Sequence, residues 1–99
     1  MRLYRVYRLN LAGATVYVGV TSQPLAIRLR EHRHRLNLQL EIEEIDSLVG
    51  IRTEAEERER QWIYRYLVQG APLLNVVGIV GNREQFAAFL QQYAWKEQR

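Results

Sequence analysis

Leu3-Tyr4-Arg5-Val6-Tyr7-Arg8-Leu9-Asn10-Leu11-Ala12-Gly13-Ala14-Thr15-Val16-Tyr17-Val18-Gly19-Val20 is the stretch whose reading decides the fold. Two β-like runs, Leu3–Leu9 and Thr15–Val20, flank a segment ending in Ala12-Gly13-Ala14. A three-residue loop Leu11-Ala12-Gly13, with Gly13 in the left-handed conformation, is a common hairpin connection. That loop predicts a register in which Tyr7 lies directly opposite Tyr17. Side chains alternate faces along a strand, so the two phenols are expected on the same side of the sheet.

Downstream of this hairpin, Thr21-Ser22-Gln23-Pro24 has the composition of a helix start, with a hydroxyl to cap and Pro in the first turn. The helix is predicted from Pro24 to about Leu36. Leu25, Leu29 and Leu36 form its apolar stripe with Ile27 beside it, while Arg28, Glu31, His32 and Arg35 share another face. Leu38–Val49 alternates partly, Leu38, Leu40 and Ile42 against Gln39, Glu41 and Glu43, which predicts a third strand punctuated by Gly50. Thr53-Glu54-Ala55-Glu56 has the form of a capping box with Thr53 as cap, opening a helix to about Val68 that Gly70 and Pro72 stop. Pro72 to Gly81 is expected as an apolar loop or short extended piece. Asn82-Arg83-Glu84-Gln85 has the form of a second capping box, before a last helix with Phe86, Phe89, Leu90 and Tyr93 on its core face. Trp62, Trp95 and Phe89 could serve dimer contacts, but a place in the core is the simpler reading.

The chain of 99 residues has room for one domain with a modest core. It contains no cysteine, which excludes a disulfide scaffold and a thiolate metal site and fits a cytoplasmic protein. No apolar run approaches the roughly 20 residues of a membrane span, and the amino terminus reads as a strand rather than a signal peptide. The net charge of +3 is unevenly spread. Residues 1–37 carry a net +6, residues 38–59 a net −6 and residues 60–99 a net +3. Thirteen of the fourteen basic residues are Arg, and Lys96 is the one Lys. Arg presents a planar fork of donors suited to phosphate, so a basic amino-terminal third is compatible with a polyanion partner, and equally with a solvated surface.

One residue breaks a local rule. Ala55, Trp62, Ile63 and Tyr66 make the apolar side of the fourth segment, and Glu54, Glu57, Arg58, Gln61 and Arg65 its wet side. Glu59 is four after Ala55 and four before Ile63, so it falls inside the apolar stripe. Burying a lone carboxylate is costly unless it is paired or binds a metal. It is therefore either an edge residue that reaches water or an Arg, or a ligand for a hard cation such as Mg²⁺ or Mn²⁺. His32 and His34, two apart, do not share a helical face and make a poor pair of metal ligands. Asn75 could be simply a turn residue.

In order, Tyr7, Tyr17-Val18-Gly19, Arg28, His32, Glu59 and Asn75 make a constellation that resembles the GIY-YIG nuclease family, over residues 4 to about 76. Val16 to His32 is the most typical part, followed by Glu54-Ala55 leading to Glu59 and Trp62-Ile63. The sequence departs from the pattern in two places. Arg5-Val6-Tyr7 lacks the first glycine, and Val20 stands where some members have Lys, which leaves phosphate contact to Arg.

The resemblance implies a small α/β fold, a three-stranded antiparallel sheet flanked by helices, and agrees with the order read from the residues. It also implies a metal-dependent endonuclease that hydrolyses phosphodiester bonds with one divalent ion, Mg²⁺ or Mn²⁺, on Glu59. Arg28 would stabilise the charge of the transition state, and His32 would move a proton or hold the phosphate. A tyrosine would activate water, with Tyr7 favoured and Tyr17 positioning it or the phosphate. Gly19 and Asn75 would support the site, and Arg30 and Arg35 would contact nucleic acid. DNA is the expected partner, with RNA open; relatives act in repair, restriction, homing and recombination. With little sequence beyond Asn75, targeting is expected to rest on DNA structure, a protein partner or a fused domain, and binding to weaken steeply with salt. The alternative is a non-catalytic nucleic-acid-binding or scaffold domain that keeps the fold.

Overall fold

The structure, a computed structural model, describes residues 1–76 and 80–97, with backbone alone at 76, 80–82 and 95–97. Strand β1 (Arg2–Leu11) and strand β2 (Ala14–Thr21) form the hairpin. Helix α1 (Leu25–Leu36), strand β3 (Glu41–Gly50) and helix α2 (Arg52–Val68) follow, then a 3-10 turn at Leu74–Val76 and helix α3 (Val80–Glu97). The sheet is antiparallel, in the order β2-β1-β3. This is the small α/β architecture expected from the sequence. Among the described residues no helix is long and apolar enough to cross a membrane.

The hairpin differs from expectation in register. Its loop has two residues, Ala12 and Gly13, with φ of 51° and 83°. Two consecutive positive φ values are the mark of the turn whose twist matches that of paired strands. Leu11 therefore pairs with Ala14 and Asn10 with Thr15, after which a bulge shifts the ladder so that Leu9 faces Tyr17 and Tyr7 faces Gly19. Tyr7 is thus not opposite Tyr17. The two phenols still share a face, because the shorter loop and the bulge each move the register by one and together preserve its parity. Without the bulge Tyr17 would face Arg8 and point to the other side.

The strand pleat sends alternate residues into two cores. On one face Tyr7, Leu9, Leu11, Val16 and Leu40 are fully buried, packed by Leu25, Leu29 and Leu36 of α1 and by Phe86, Phe89, Leu90 and Tyr93 of α3. On the other face Val6, Val18 and Leu73 are buried beneath Trp62, Ile63, Tyr66 and Leu67 of α2. The stripes read from the three helices hold, except that Ile27 is exposed. Trp62 and Phe89 pack into the core, while the side chain of Trp95 lies outside the described residues. Three acids of β3 are neutralised locally: Arg5 pairs with Glu44, Arg8 with Glu43 and Arg58 with Asp46. Asp46 also accepts a 2.9 Å hydrogen bond from Trp62 Nε1, which ties β3 to α2.

The helix starts differ from those predicted. Helix α1 begins after Pro24 with no side-chain cap, and Thr21 Oγ1 instead accepts from Gln23 N–H in the turn before it. The third strand starts at Glu41, not Leu38, and Gly50 is its last residue. Helix α2 is capped two residues earlier than its Thr53 box suggested, because Glu54, not Glu56, reaches back to the Ile51 N–H at 3.1 Å. Gly50 leaves room for that carboxylate, since a β-carbon there would meet Glu54 Oε1 at 2.8 Å. Helix α3 runs from Val80, so Asn82 lies within it and does not cap it. Of the segment from Pro72 to Gly81, residues 77–79 lie outside the described residues.

Candidate active site

The pleat of β1 aims the Tyr7 side chain at helix α1, and the bulge in β2 brings Tyr17 beside it. Their ring centroids are 6.2 Å apart. His32, on the inner face of α1, completes an aromatic triangle, 5.9 Å from Tyr7 and 4.8 Å from Tyr17. Tyr7 has no exposed surface and His32 retains 3%, whereas Tyr17 is only partly buried. The Tyr7 hydroxyl and His32 Nε2 lie 2.9 Å apart in a hydrogen bond.

Gly19 is the gap into which this cluster fits. A β-carbon on Gly19 would lie 2.5 Å from Tyr7 Oη, 2.6 Å from Tyr7 Cζ and 2.8 Å from Tyr17 Cε1. Those separations are far inside van der Waals contact, so the close approach of both phenols to the β2 backbone requires glycine at this position.

Arg28, one turn before His32, approaches the Tyr7 hydroxyl. Burial and the neighbouring Tyr17 push the Tyr7 phenol up to about 12, while Arg28 pulls it back. Burial raises Tyr17 as well, reinforced by the Glu59 carboxylate. Burial, with Arg28 and Arg35 beside it, pushes His32 down to about 4, so the ring is neutral at pH 7. Arg28 is ion-paired to Glu31 at 2.6 Å through one terminal nitrogen. Its buried Nε has no hydrogen-bond partner among the described residues. A cation with an unused donor is suited to an oxyanion.

Glu59 comes from the opposite side of the sheet and reaches the free edge of β2. In strand order β2 pairs only with β1, so one row of its backbone groups is left unpaired by the ladder. Asn75 takes two of these groups. Its Oδ1 accepts from Val18 N–H at 2.8 Å and its Nδ2 donates to the Val18 carbonyl. Backbone groups two residues apart face the same way, and the next N–H on that edge, of Val20, donates to Glu59. Burial raises the Glu59 pKa, and the Val20 N–H offsets part of that rise. Glu59 forms no ion pair among the described residues, so the paired-with-Arg reading of its misplaced position does not apply.

Of these groups, Arg28 and Val20 line a cleft of about 260 Å³, together with Tyr4, Thr21, Ser22, Gln23 and Arg52; Tyr7, Tyr17, His32, Glu59 and Asn75 are not among its lining residues. Sequence reasoning missed Tyr4, Thr21 and Arg52 as cleft residues. Tyr4 lies on the central strand and Arg52 opens α2, and no local spacing signal connects them; only the sheet register does. The two Arg residues expected at nucleic acid part ways. Both are exposed, but Arg30 has no partner among the described residues, while Arg35 places its Nη2 2.9 Å from His32 Nδ1.

A divalent ion fits this donor set in one mode only. Among the described residues no three His, Cys, Asp or Glu side chains cluster as a cage. Mg²⁺ commonly takes one or two carboxylates and fills its shell with waters and substrate phosphate oxygens, for which the unpaired, half-buried Glu59 is adequate. Comparison of the chain with protein-family models, curated proteins and solved structures gave no match.

Proposed function

We propose that this chain is a GIY-YIG-type endonuclease that hydrolyses DNA phosphodiester bonds with one Mg²⁺ or Mn²⁺ held by Glu59. The observation that carries the reading is the convergence of Tyr7, Tyr17, His32 and Arg28 about Gly19, with Glu59 arriving over the adjoining edge of β2. A divalent ion there supplies Lewis acidity to the phosphate and to the departing 3′ oxygen.

The chain's own residues do the rest. Arg28, with a donor unused, balances the negative charge that builds on the phosphate oxygens as water adds. Tyr7, as phenolate, takes the proton from the attacking water; the new P–O bond forms as the P–O3′ bond breaks. Burial pushes the Tyr7 phenol up to about 12 and the Arg28 hydrogen bond offsets only part of that rise, so the phenolate would depend on a cation loaded beside it; Tyr17 feels Arg28 and Arg35 without such a hydrogen bond. Tyr17, only partly buried, positions the water or the phosphate beside Tyr7. Asn75 acts through backbone, holding the Val18–Val20 edge on which Glu59 rests. Arg30 is the exposed cation for flanking phosphates.

The burial of Tyr7 favours a second reading, a binding domain that keeps the fold without catalysis, since no solvent touches the phenol in the free protein. The two separate in a cleavage assay on supercoiled plasmid and branched DNA with Mg²⁺ or Mn²⁺. The nuclease reading expects cleavage by the wild type and a loss on the order of 10²-fold or more in Glu59→Gln and Arg28→Ala, with both variants folded. DNA binding without cleavage supports the binding domain. Equal cleavage by the variants overturns the site assignment.

A further inference from the structure

Arg35, an exposed residue of α1, directs one guanidinium nitrogen to the buried His32 ring. It lies three residues after His32 on α1, and its Nη2 sits 2.9 Å from His32 Nδ1. A guanidinium has N–H donors and no acceptor, so in this pair Nδ1 must accept. A neutral imidazole carries one N–H, and with Nδ1 accepting, that hydrogen resides on Nε2. Nε2 is 2.9 Å from the Tyr7 hydroxyl, so it donates to the phenol oxygen.

We infer that Arg35 is a positioning residue that locks His32 in the Nε2–H tautomer and so makes His32 a hydrogen-bond donor to Tyr7 rather than the acceptor of its proton. The catalytic consequence rests on the proposed nuclease reading; the tautomer itself does not. The Tyr7 O–H hydrogen must then point away from His32. Once that hydrogen is lost, the phenolate oxygen keeps the Nε2–H facing it, and a proton taken from water stays on Tyr7 instead of passing to the ring.

The surroundings agree. Among the described residues, the charged or titratable groups around the ring are Tyr7 from β1, Tyr17 from β2, and Arg28, Glu31 and Arg35 from α1 itself. A doubly protonated ring would set a second N–H against the Arg35 guanidinium, donor against donor and cation against cation. The ring is buried, so it has no water to turn to instead.

The test is the tautomer, read by long-range proton–nitrogen correlation NMR on uniformly ¹⁵N-labelled protein at neutral pH. The wild type is expected to show a pyridine-like Nδ1 and a pyrrole-like Nε2 for His32. Arg35→Glu places an acceptor at Nδ1 and is expected to invert the pattern, while Arg35→Lys restores a donor and keeps it. Arg35 is exposed, so these variants are expected to fold, and their amide spectra report it. A pyrrole-like Nδ1 in the wild type, or a pattern unchanged in Arg35→Glu, overturns the inference. In the cleavage assay, Arg35→Glu is expected to lose activity on the order of tenfold or more and Arg35→Lys to retain most of it. Uncleaved DNA with the expected tautomer defeats the nuclease reading alone. Cleavage with the opposite tautomer defeats the lock alone.

Discussion

Tyr7 and Gly19 are two halves of one feature. The phenol can lie against the β2 backbone only because residue 19 has no side chain, and its hydroxyl then meets His32 in the interior. A methyl at position 19 has no empty space to enter: its neighbours are a ring carbon and hydroxyl of a buried Tyr7 and a ring edge of Tyr17. Gly19→Ala is therefore expected to cost about 1–3 kcal/mol, the range for overpacking a filled core. A urea titration measures it, with the His32 ring resonances reporting the displaced Tyr7 hydrogen bond. An unchanged midpoint with an unchanged His32 spectrum would mean that the two phenols do not crowd Gly19 as described. At this scale the sequence was most informative about residue identity and least about state. That Tyr7, Tyr17, Arg28 and His32 belong together was readable from their order. That Arg35 reaches His32 with one guanidinium nitrogen was not, because spacing places it on the same helical face as Arg28 without saying which end of that face meets the sheet.

Elements decide where those residues point, and the β2 edge shows how. An edge strand exposes unpaired N–H and C=O groups, and here Asn75 closes the pair belonging to Val18 while Glu59 takes the N–H of Val20. Asn75→Ala removes both bonds to Val18 from a partly buried position, an expected loss of about 1–3 kcal/mol. Hydrogen exchange is the sharper measurement: the Val18 amide should lose protection more than the amides of Tyr17 and Gly19, which face β1. Uniform loss along β2 would point to general destabilisation and against a specific edge clasp. The turn residues of the hairpin were legible as a turn, yet the register was not. Ala12 adopts φ 51°, which alanine seldom does, so composition favoured a longer loop with one left-handed residue at Gly13. The bulge at Val16, opposite the Leu9–Asn10 step, left no signature in the sequence either. The shared face of the two tyrosines survived because both departures shift the ladder by one residue. The capping boxes failed for another reason. Thr53 and Asn82 satisfy the pattern, but strand β3 hands the chain to α2 at Ile51, and α3 starts before Asn82.

The whole molecule is a thin sheet with a core on each face, and the site lies where the two are joined across the β2 edge. The tyrosine–histidine–arginine cluster belongs to the α1 face and the carboxylate to the α2 face. This division explains why Glu59 was visible in the sequence as a misplaced residue: it interrupts the α2 stripe so as to reach round the edge. The charge pattern resolves in the same way. The acidic middle segment is spent partly on local pairs with Arg5, Arg8 and Arg58, which leaves α1 as the basic surface next to the cleft. The proposed divalent ion binds at this junction through Glu59. The most direct test is titration of the protein with Mn²⁺, followed by paramagnetic broadening of backbone amides. Early, selective broadening is expected around Val20, Gly19 and Glu59, lost in Glu59→Gln and sparing the far ends of β1 and β3. Broadening centred on the exposed acids of β3, or unchanged in Glu59→Gln, would contradict binding at Glu59.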